Sequence, residues 1–170
     1  MEAGEGLEPG SGRLHAGVDI RPVSPRSADA RRLLTDYLDD LERRLDGWTK
    51  AGYVDAAPEE LMPPAGALLL AYDGGEAVAC GAVHVISPGV AEVKRMFVAP
   101  RARGRGIGRA LLDVLERAAV ELGCDVARLD STEPLAEAMA LYRSAGYVEI
   151  GDYNGNPNAT AWLERRLRSR

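Results

Sequence analysis

Cysteine, histidine and phenylalanine are scarce here: the 170 residues hold two, two and one of them. Cys80 and Cys124 lie far apart and fit no metal-ligand spacing, so they are expected as buried free thiols in a reduced setting. His15 and His84 are isolated, and no cluster of His, Cys and Asp offers a metal site. No apolar run approaches the roughly 18 residues that cross a membrane. The opening MEAGEGLEPGSGRLHAG is acidic and Gly-rich and lacks the apolar core of a secretory signal. The expectation is a cytoplasmic protein with a flexible tail over residues 1–17 and one folded domain over 18–170.

What is present suits such a domain. At 46% hydrophobic content the chain can bury a core without staples. Net charge is −5, yet Lys94, Arg95, Arg101, Arg103, Arg105 and Arg109 form a basic stretch with no acidic residue inside it. The rest of the chain sets 15 basic against 26 acidic residues, a net −11. A focused basic spot in an acidic body suits one compact anionic ligand. A nucleic-acid backbone would need an extended basic face, so no nucleic-acid partner is expected.

The periodicities predict an α/β order of elements. Gly17–Val23 reads as a strand, and Ser27 caps a helix whose Leu33, Leu34, Tyr37, Leu38, Leu41 and Leu45 recur at helical spacing. Trp48–Gly66 is aperiodic and proline-containing, a loop able to shape a substrate pocket through Trp48 and Tyr53, although such aromatics more often simply pack. Ala67–Tyr72, Glu76–Ile86 and Ala91–Val98 should form an antiparallel meander through the turns Asp73-Gly74-Gly75 and Ser87-Pro88-Gly89. A helix follows from about Ile107 to a stop at Gly123, then a strand over Val126–Leu129. Pro134 suits the first turn of a helix running to Ala145, before strands at Tyr147–Ile150 and Thr160–Leu167.

The stretch Val93–Ala110 runs strand, turn, helix. Gly104, Gly106 and Gly108 allow close approach to the backbone, whose N–H groups can converge on phosphate oxygens at the positive end of the following helix. The alternative is a solvated Arg/Gly loop that only caps that helix. A dinucleotide-binding unit would need a βαβ start, and a P-loop would need Gly-Lys-Ser/Thr; neither is present.

Arg103-Gly104-Arg105-Gly106-Ile107-Gly108 resembles the coenzyme A motif Arg/Gln-x-x-Gly-x-Gly/Ala of the GNAT acetyltransferase superfamily, preceded by a strand ending in Val98-Ala99-Pro100. Leu141-Tyr142-Arg143-Ser144-Ala145-Gly146-Tyr147 is similar to a second family segment, Leu-Tyr-x-x-x-Gly-Phe/Tyr. The resemblance implies a GNAT-like fold: a mixed, mostly antiparallel sheet flanked by helices, whose fourth and fifth strands are parallel and splay apart. Acetyl coenzyme A would lie in that opening as co-substrate. Met96, Phe97 and Val98 would meet its pantetheine arm, and Arg103, Gly104, Arg105, Gly106, Ile107, Gly108, Arg109 and Ala110 its pyrophosphate. Arg101 and Arg143 would serve the 3′-phosphate or remain solvated surface.

The activity so implied is direct transfer of an acetyl group to a primary amine of a small molecule, without a covalent enzyme intermediate. The alternatives are a protein N-terminal or lysine acetyltransferase, and an acyl-CoA sensor without catalysis. By resemblance, Val98 N–H would polarise the thioester carbonyl and Tyr142 would return a proton to the thiolate. Tyr142 shares a face with Leu135, Ala138 and Met139, so a core aromatic is its other reading. Glu92 would accept the amine proton through water, or pair at the surface with Lys94 or Arg95. Leu135 stands where ribosomal-protein N-terminal acetyltransferases carry asparagine, a departure from that group. Asp152–Pro157 is similar to an Asn-Pro tail in one small-molecule subgroup, and reads as a plain polar turn or as a border of the acceptor site. Related folds often form homodimers.

Overall fold

The computed structural model describes residues 14–168. Their strands join one sheet of eight, β1 (Leu14–His15), β2 (Val18–Pro22), β3 (Gly66–Asp73), β4 (Glu76–Ser87), β5 (Val90–Val98), β6 (Val126–Ser131), β7 (Val148–Ile150) and β8 (Ala161–Arg166), in the spatial order 1-2-3-4-5-6-8-7. Three helices pack on its faces: α1 (Ala28–Arg44), α2 (Ile107–Glu121) and α3 (Ala136–Ser144). The pair expected as fourth and fifth strands is β5 and β6, displaced by one because Leu14–His15 pairs with Val18–Asp19. Residues 14–17 thus belong to the sheet and its first turn, not to a tail; the remainder of the expected tail lies outside the described residues.

Local chemistry sets most boundaries. Ser27 Oγ accepts from Ala30 N–H (3.2 Å) and starts α1. Gly74 and Gly75 both take positive φ, 55° and 85°, which closes the β3–β4 hairpin with the twist its strands require. α2 ends where Cys124 N–H donates to Ala119 O (3.0 Å) across Gly123 at φ 87°. α3 begins two residues later than Pro134 predicted, and Leu135 supplies no side-chain cap.

The sheet separates two cores. Ala71, Val83, Ala91, Val93, Ala127 and Leu129 meet Ile107, Leu111, Leu112 and Leu115 of α2 and Met139 and Tyr142 of α3. On the other face Leu68, Leu70, Ala82 and Phe97 meet Ala30 and Leu33 of α1. Cys80 and Cys124 are buried and free, and burial pushes the Cys80 thiol up to about 12, which keeps it protonated and inert.

One irregularity positions everything that follows. Cys80 pairs with Phe97 and Ala82 with Lys94, so Gly81 stands opposite both Arg95 and Met96. The extra residue is a β-bulge, with Arg95 at φ 55°. It reverses the alternation: Ala91 and Val93 face α2 before it, Met96 and Val98 after it, and Phe97 turns to the α1 core. Gly81 accommodates the crowding, since a Cβ there would lie 2.7 Å from Leu115 Cδ1 and 2.8 Å from Met96 Sδ.

Candidate active site

The parallel pairing of β5 with β6 stops after Glu92–Arg128, although β5 runs on to Val98 and β6 to Ser131. Beyond that point the strands have parted, which leaves one edge of β5 without a neighbour. Ala99 N–H donates to Val78 O (2.8 Å) on the β4 side. Strand alternation therefore turns the N–H groups of Met96 and Val98 toward the gap and that of Phe97 toward β4. Phe97 drops out of the expected edge set because its main chain is turned to β4; its side chain is buried against Tyr37, with ring centroids 5.8 Å apart.

The glycine loop lies just past the end of β5. Arg103 N–H donates to Pro100 O (3.3 Å) and Ala110 N–H to Gly106 O (3.1 Å). Among the described residues no hydrogen bond takes the N–H groups of residues 104–109. Gly104 and Gly106 hold φ 77° and 78°, and a Cβ on either would meet nothing within 4 Å. Six consecutive free donors at the start of a fifteen-residue helix, with open space over the glycines, fit a pyrophosphate. Ala110, whose N–H is taken, is not one of them.

The expected basic spot dissolves. Each of its six cations meets a carboxylate: Lys94 with Glu92 (3.8 Å), Arg95 with Asp55, Arg101 with Glu76 (2.6 Å), Arg103 with Asp40 (3.1 Å), Arg105 with Asp73 (2.7 Å) and Arg109 with Asp113 (3.2 Å). Arg103 also donates to Val98 O (2.9 Å), so its side chain braces the loop against α1. Arg143 is exposed and paired with Glu133 (3.1 Å) and Glu149 (2.9 Å). The open donors of this loop are main-chain N–H groups, its arginines being paired with carboxylates.

A cavity of about 430 Å³ opens through the gap between β5 and β6 and reaches both faces of the sheet. Tyr142, Leu135, Ala138, Val93 and Met96 line it toward α2 and α3; Glu92, Lys94 and Asp130 line it on the other face. Trp48 and Tyr53 of the connecting loop, with Tyr37 of α1, form an aromatic wall, Trp48 and Tyr53 having ring centroids 6.1 Å apart.

Tyr142 is 5% exposed, and among the described residues its hydroxyl has no hydrogen-bond partner. Burial pushes that hydroxyl well above its ordinary value, with the Asp130 charge adding to the rise, so it is held protonated. The ring packs in the core, 6.0 Å from the Tyr147 ring, and Tyr142 also lines the cavity.

Glu92 is bound more tightly than a surface ion pair. It accepts from Tyr153 Oη (2.7 Å) and Asn154 Nδ2 (3.3 Å), and meets His84 Nε2 at 3.1 Å. Burial alone would raise its carboxyl, but the bonds from His84 and Tyr153 and the Lys94 charge outweigh it and hold the group down at about 2. Arg95, expected as a surface partner for Glu92, is buried and tied to Asp55 instead.

Asp130 and His84 were not among the sequence-derived site residues, while Tyr153, Asn154 and Asn156 lie in the segment read as a plain polar turn or as a border of the acceptor site. Asn154 Nδ2 donates to both Glu92 and Asp130, Asn156 Nδ2 donates to Asp130 (3.1 Å), and Trp162 Nε1 fixes the Asn154 oxygen (2.9 Å). Residues 154–159 thus border the cavity, and of the two readings of Asp152–Pro157 the one beside the cavity matches their position.

The sequence profile of the Acetyltransferase (GNAT) family matches residues 30–147. An uncharacterised N-acetyltransferase of Schizosaccharomyces pombe is 31% identical over 131 residues, 76% of this chain and 80% of that one. An IAA acetyltransferase of Azospirillum brasilense is 38% identical over 112 residues, 64% of this chain and 73% of that one. Among solved structures, a Klebsiella pneumoniae protein described as an acyl-CoA N-acyltransferase superposes with a TM-score of 0.73 at 28% identity, covering 91% of this chain and 100% of its own. A Sinorhizobium meliloti phosphinothricin acetyltransferase in complex with AcCoA shares the fold, with a TM-score of 0.66, 20% identity and 89% of each chain covered.

Proposed function

Because the chain belongs to the GNAT acetyltransferase family and is an N-acetyltransferase, we propose that it moves the acetyl group of acetyl coenzyme A directly to a primary amine of a small molecule. The carrying observation is the row of free N–H groups over residues 104–109, set beside the unpaired edge of β5. Those donors would hold the diphosphate, and the outward N–H groups of Met96 and Val98 would hydrogen-bond the pantetheine arm as an added strand would. The relative crystallised with AcCoA supports that choice of donor.

The chemistry needs a polarised carbonyl, a neutral amine and a proton for the leaving thiolate. Val98 N–H supplies the first by hydrogen-bonding the carbonyl oxygen as negative charge develops on it. The protonated Tyr142 hydroxyl, unpartnered and facing the cavity, supplies the last. Glu92, ionised at any pH above about 2, gives the acceptor side a fixed negative charge that favours an ammonium group.

A small acceptor is supported by the cavity itself. Its volume of about 430 Å³ is walled by Trp48, Tyr53 and the 154–159 segment, which suits a compact amine better than an extended peptide. The Azospirillum relative, an IAA acetyltransferase by name, points the same way. Calorimetry with acetyl coenzyme A, followed by thiol release across a panel of primary amines, tests the reading. Expected are micromolar binding and turnover with at least one compact amine; turnover only with peptide substrates would reassign the acceptor, and binding without transfer would make the protein a sensor.

A further inference from the structure

Two carboxylates, not one, face the acceptor side of the cavity, and they are held differently. Glu92 is the last β5 residue paired with β6, and Asp130 lies two residues beyond its partner Arg128, on the same face of β6 and at the mouth of the gap. Asn154 Nδ2 bridges the pair, and Asn156 Nδ2 fixes the second oxygen of Asp130 at 3.1 Å. Glu92 spends its lone pairs on His84, Tyr153 and Asn154. Asp130 receives only the two neutral side-chain amides. The unpartnered Tyr142 hydroxyl, 5% exposed as a residue, completes the cavity from the α3 side.

We infer that Asp130 is the group that takes the proton from the acceptor ammonium, while Glu92 acts as the fixed anion that draws the ammonium in. This rests on the acetyltransferase reading above. In the step, an N–H bond of R–NH3⁺ breaks and its proton passes to an Asp130 oxygen. The freed nitrogen lone pair attacks the thioester carbonyl carbon, and the C–S bond breaks. The departing sulfur takes the Tyr142 proton, and Tyr142 regains one from the attacking nitrogen. Asp130, half-buried, returns its proton to solvent, so each turnover releases one proton, one amide and one thiol.

The surroundings favour that division. Burial raises the Asp130 carboxyl, and the Glu92 charge adds to the rise, whereas the amides of Asn154 and Asn156 and the Lys94 charge limit it. The other titratable groups facing it are Tyr153, Tyr142 of α3 and Tyr37 of α1, each held in its neutral form by burial. Glu92, down at about 2, is a far weaker proton acceptor.

The test compares the full-length protein with Asp130→Asn, using the best acceptor from a panel of alkyl and arylalkyl primary amines. A hydrazide of the same shape, uncharged at neutral pH, serves as second acceptor. Expected for D130N are unchanged acetyl coenzyme A affinity and a loss of about 100-fold or more in kcat/KM for the amine at pH 7. That loss should recover about tenfold per pH unit toward the amine's own pKa, as free amine accumulates, and the hydrazide should lose only a few-fold. A D130N profile parallel to that of the unaltered protein, or equal losses on amine and hydrazide, overturns the assignment while leaving the acetyltransferase reading intact. If the unaltered protein acetylates no amine, that reading fails and takes this one with it. Should D130N not fold, Asn156→Asp gives an independent answer: a new carboxylate beside Asp130 must move the acidic limb of the kcat/KM profile to higher pH, and an unmoved limb overturns the proposal.

Discussion

Tyr142 shows how one side chain serves two environments. Its ring lies in the core between α3 and the sheet, so removing the oxygen leaves the packing intact, and the hydroxyl faces only the cavity. Tyr142→Phe should therefore lower kcat by about 100-fold or more with little change in acetyl coenzyme A affinity, measured by thiol release and calorimetry. Glu92 makes a prediction about stability. Its carboxyl is depressed in the folded chain, from an ordinary 4.5 to about 2, so its contribution is complete above pH 4.5 and is lost as pH falls toward 2. Glu92→Gln should cost on the order of 2 kcal/mol at pH 7, with the gap to the unaltered protein closing across that acid window in denaturant titrations.

The elements differ in how legible they were. The glycine loop was readable because its property is local: Gly106 at φ 78° opens α2 without a side-chain cap, and a glycine announces that conformation in the sequence. Gly106→Ala would force a Cβ into the left-handed region at a cost of about 1–2 kcal/mol and place a methyl group over the free N–H row. Calorimetry should show acetyl coenzyme A affinity falling about tenfold or more, beyond what the modest drop in melting temperature explains. The arginines of the same loop misled, because their partners Asp40 and Asp73 lie 63 and 32 residues away and a local count of charge cannot see them. The bulge at Arg95 was equally silent. It arises from pairing against Gly81, and its only trace in the strand itself is the break in alternation at Lys94-Arg95, whose meaning appears when β4 is set beside it.

At the scale of the whole molecule, α1 is clamped to the rest through one buried carboxylate. Asp40, 6% exposed, accepts from Arg43, from Arg44 (3.3 Å) and from Arg103 (3.1 Å), and Arg44 reaches on to Glu137 of α3. Asp40→Ala would remove the shared partner of three solvent-reaching guanidinium groups, a loss of about 1–2 kcal/mol. Hydrogen exchange should show α1 losing protection before α2, whose core contacts lie across the sheet. The acceptor side was the least legible part for a related reason. Glu92 was singled out from its place in the strand and Asn154 and Asn156 from their segment, but Asp130 and His84 join them only when β4, β5, β6 and the segment before β8 converge, with 24 to 62 residues separating Asn154 from the carboxylates it bridges.

The free N–H row between residues 104 and 109 has an evolutionary corollary. Amide hydrogens are common to every residue type but proline, so the arginines there can be exchanged for other side chains without erasing the grip on the donor, provided Gly106 stays. The opposite wall takes its character from side chains, and single replacements at Asp130, Tyr53 or Trp48 would rewrite its chemistry. For the proposed reaction, choice of donor is thereby robust and choice of acceptor evolvable, and the frontier between the two runs along the open edge of β5.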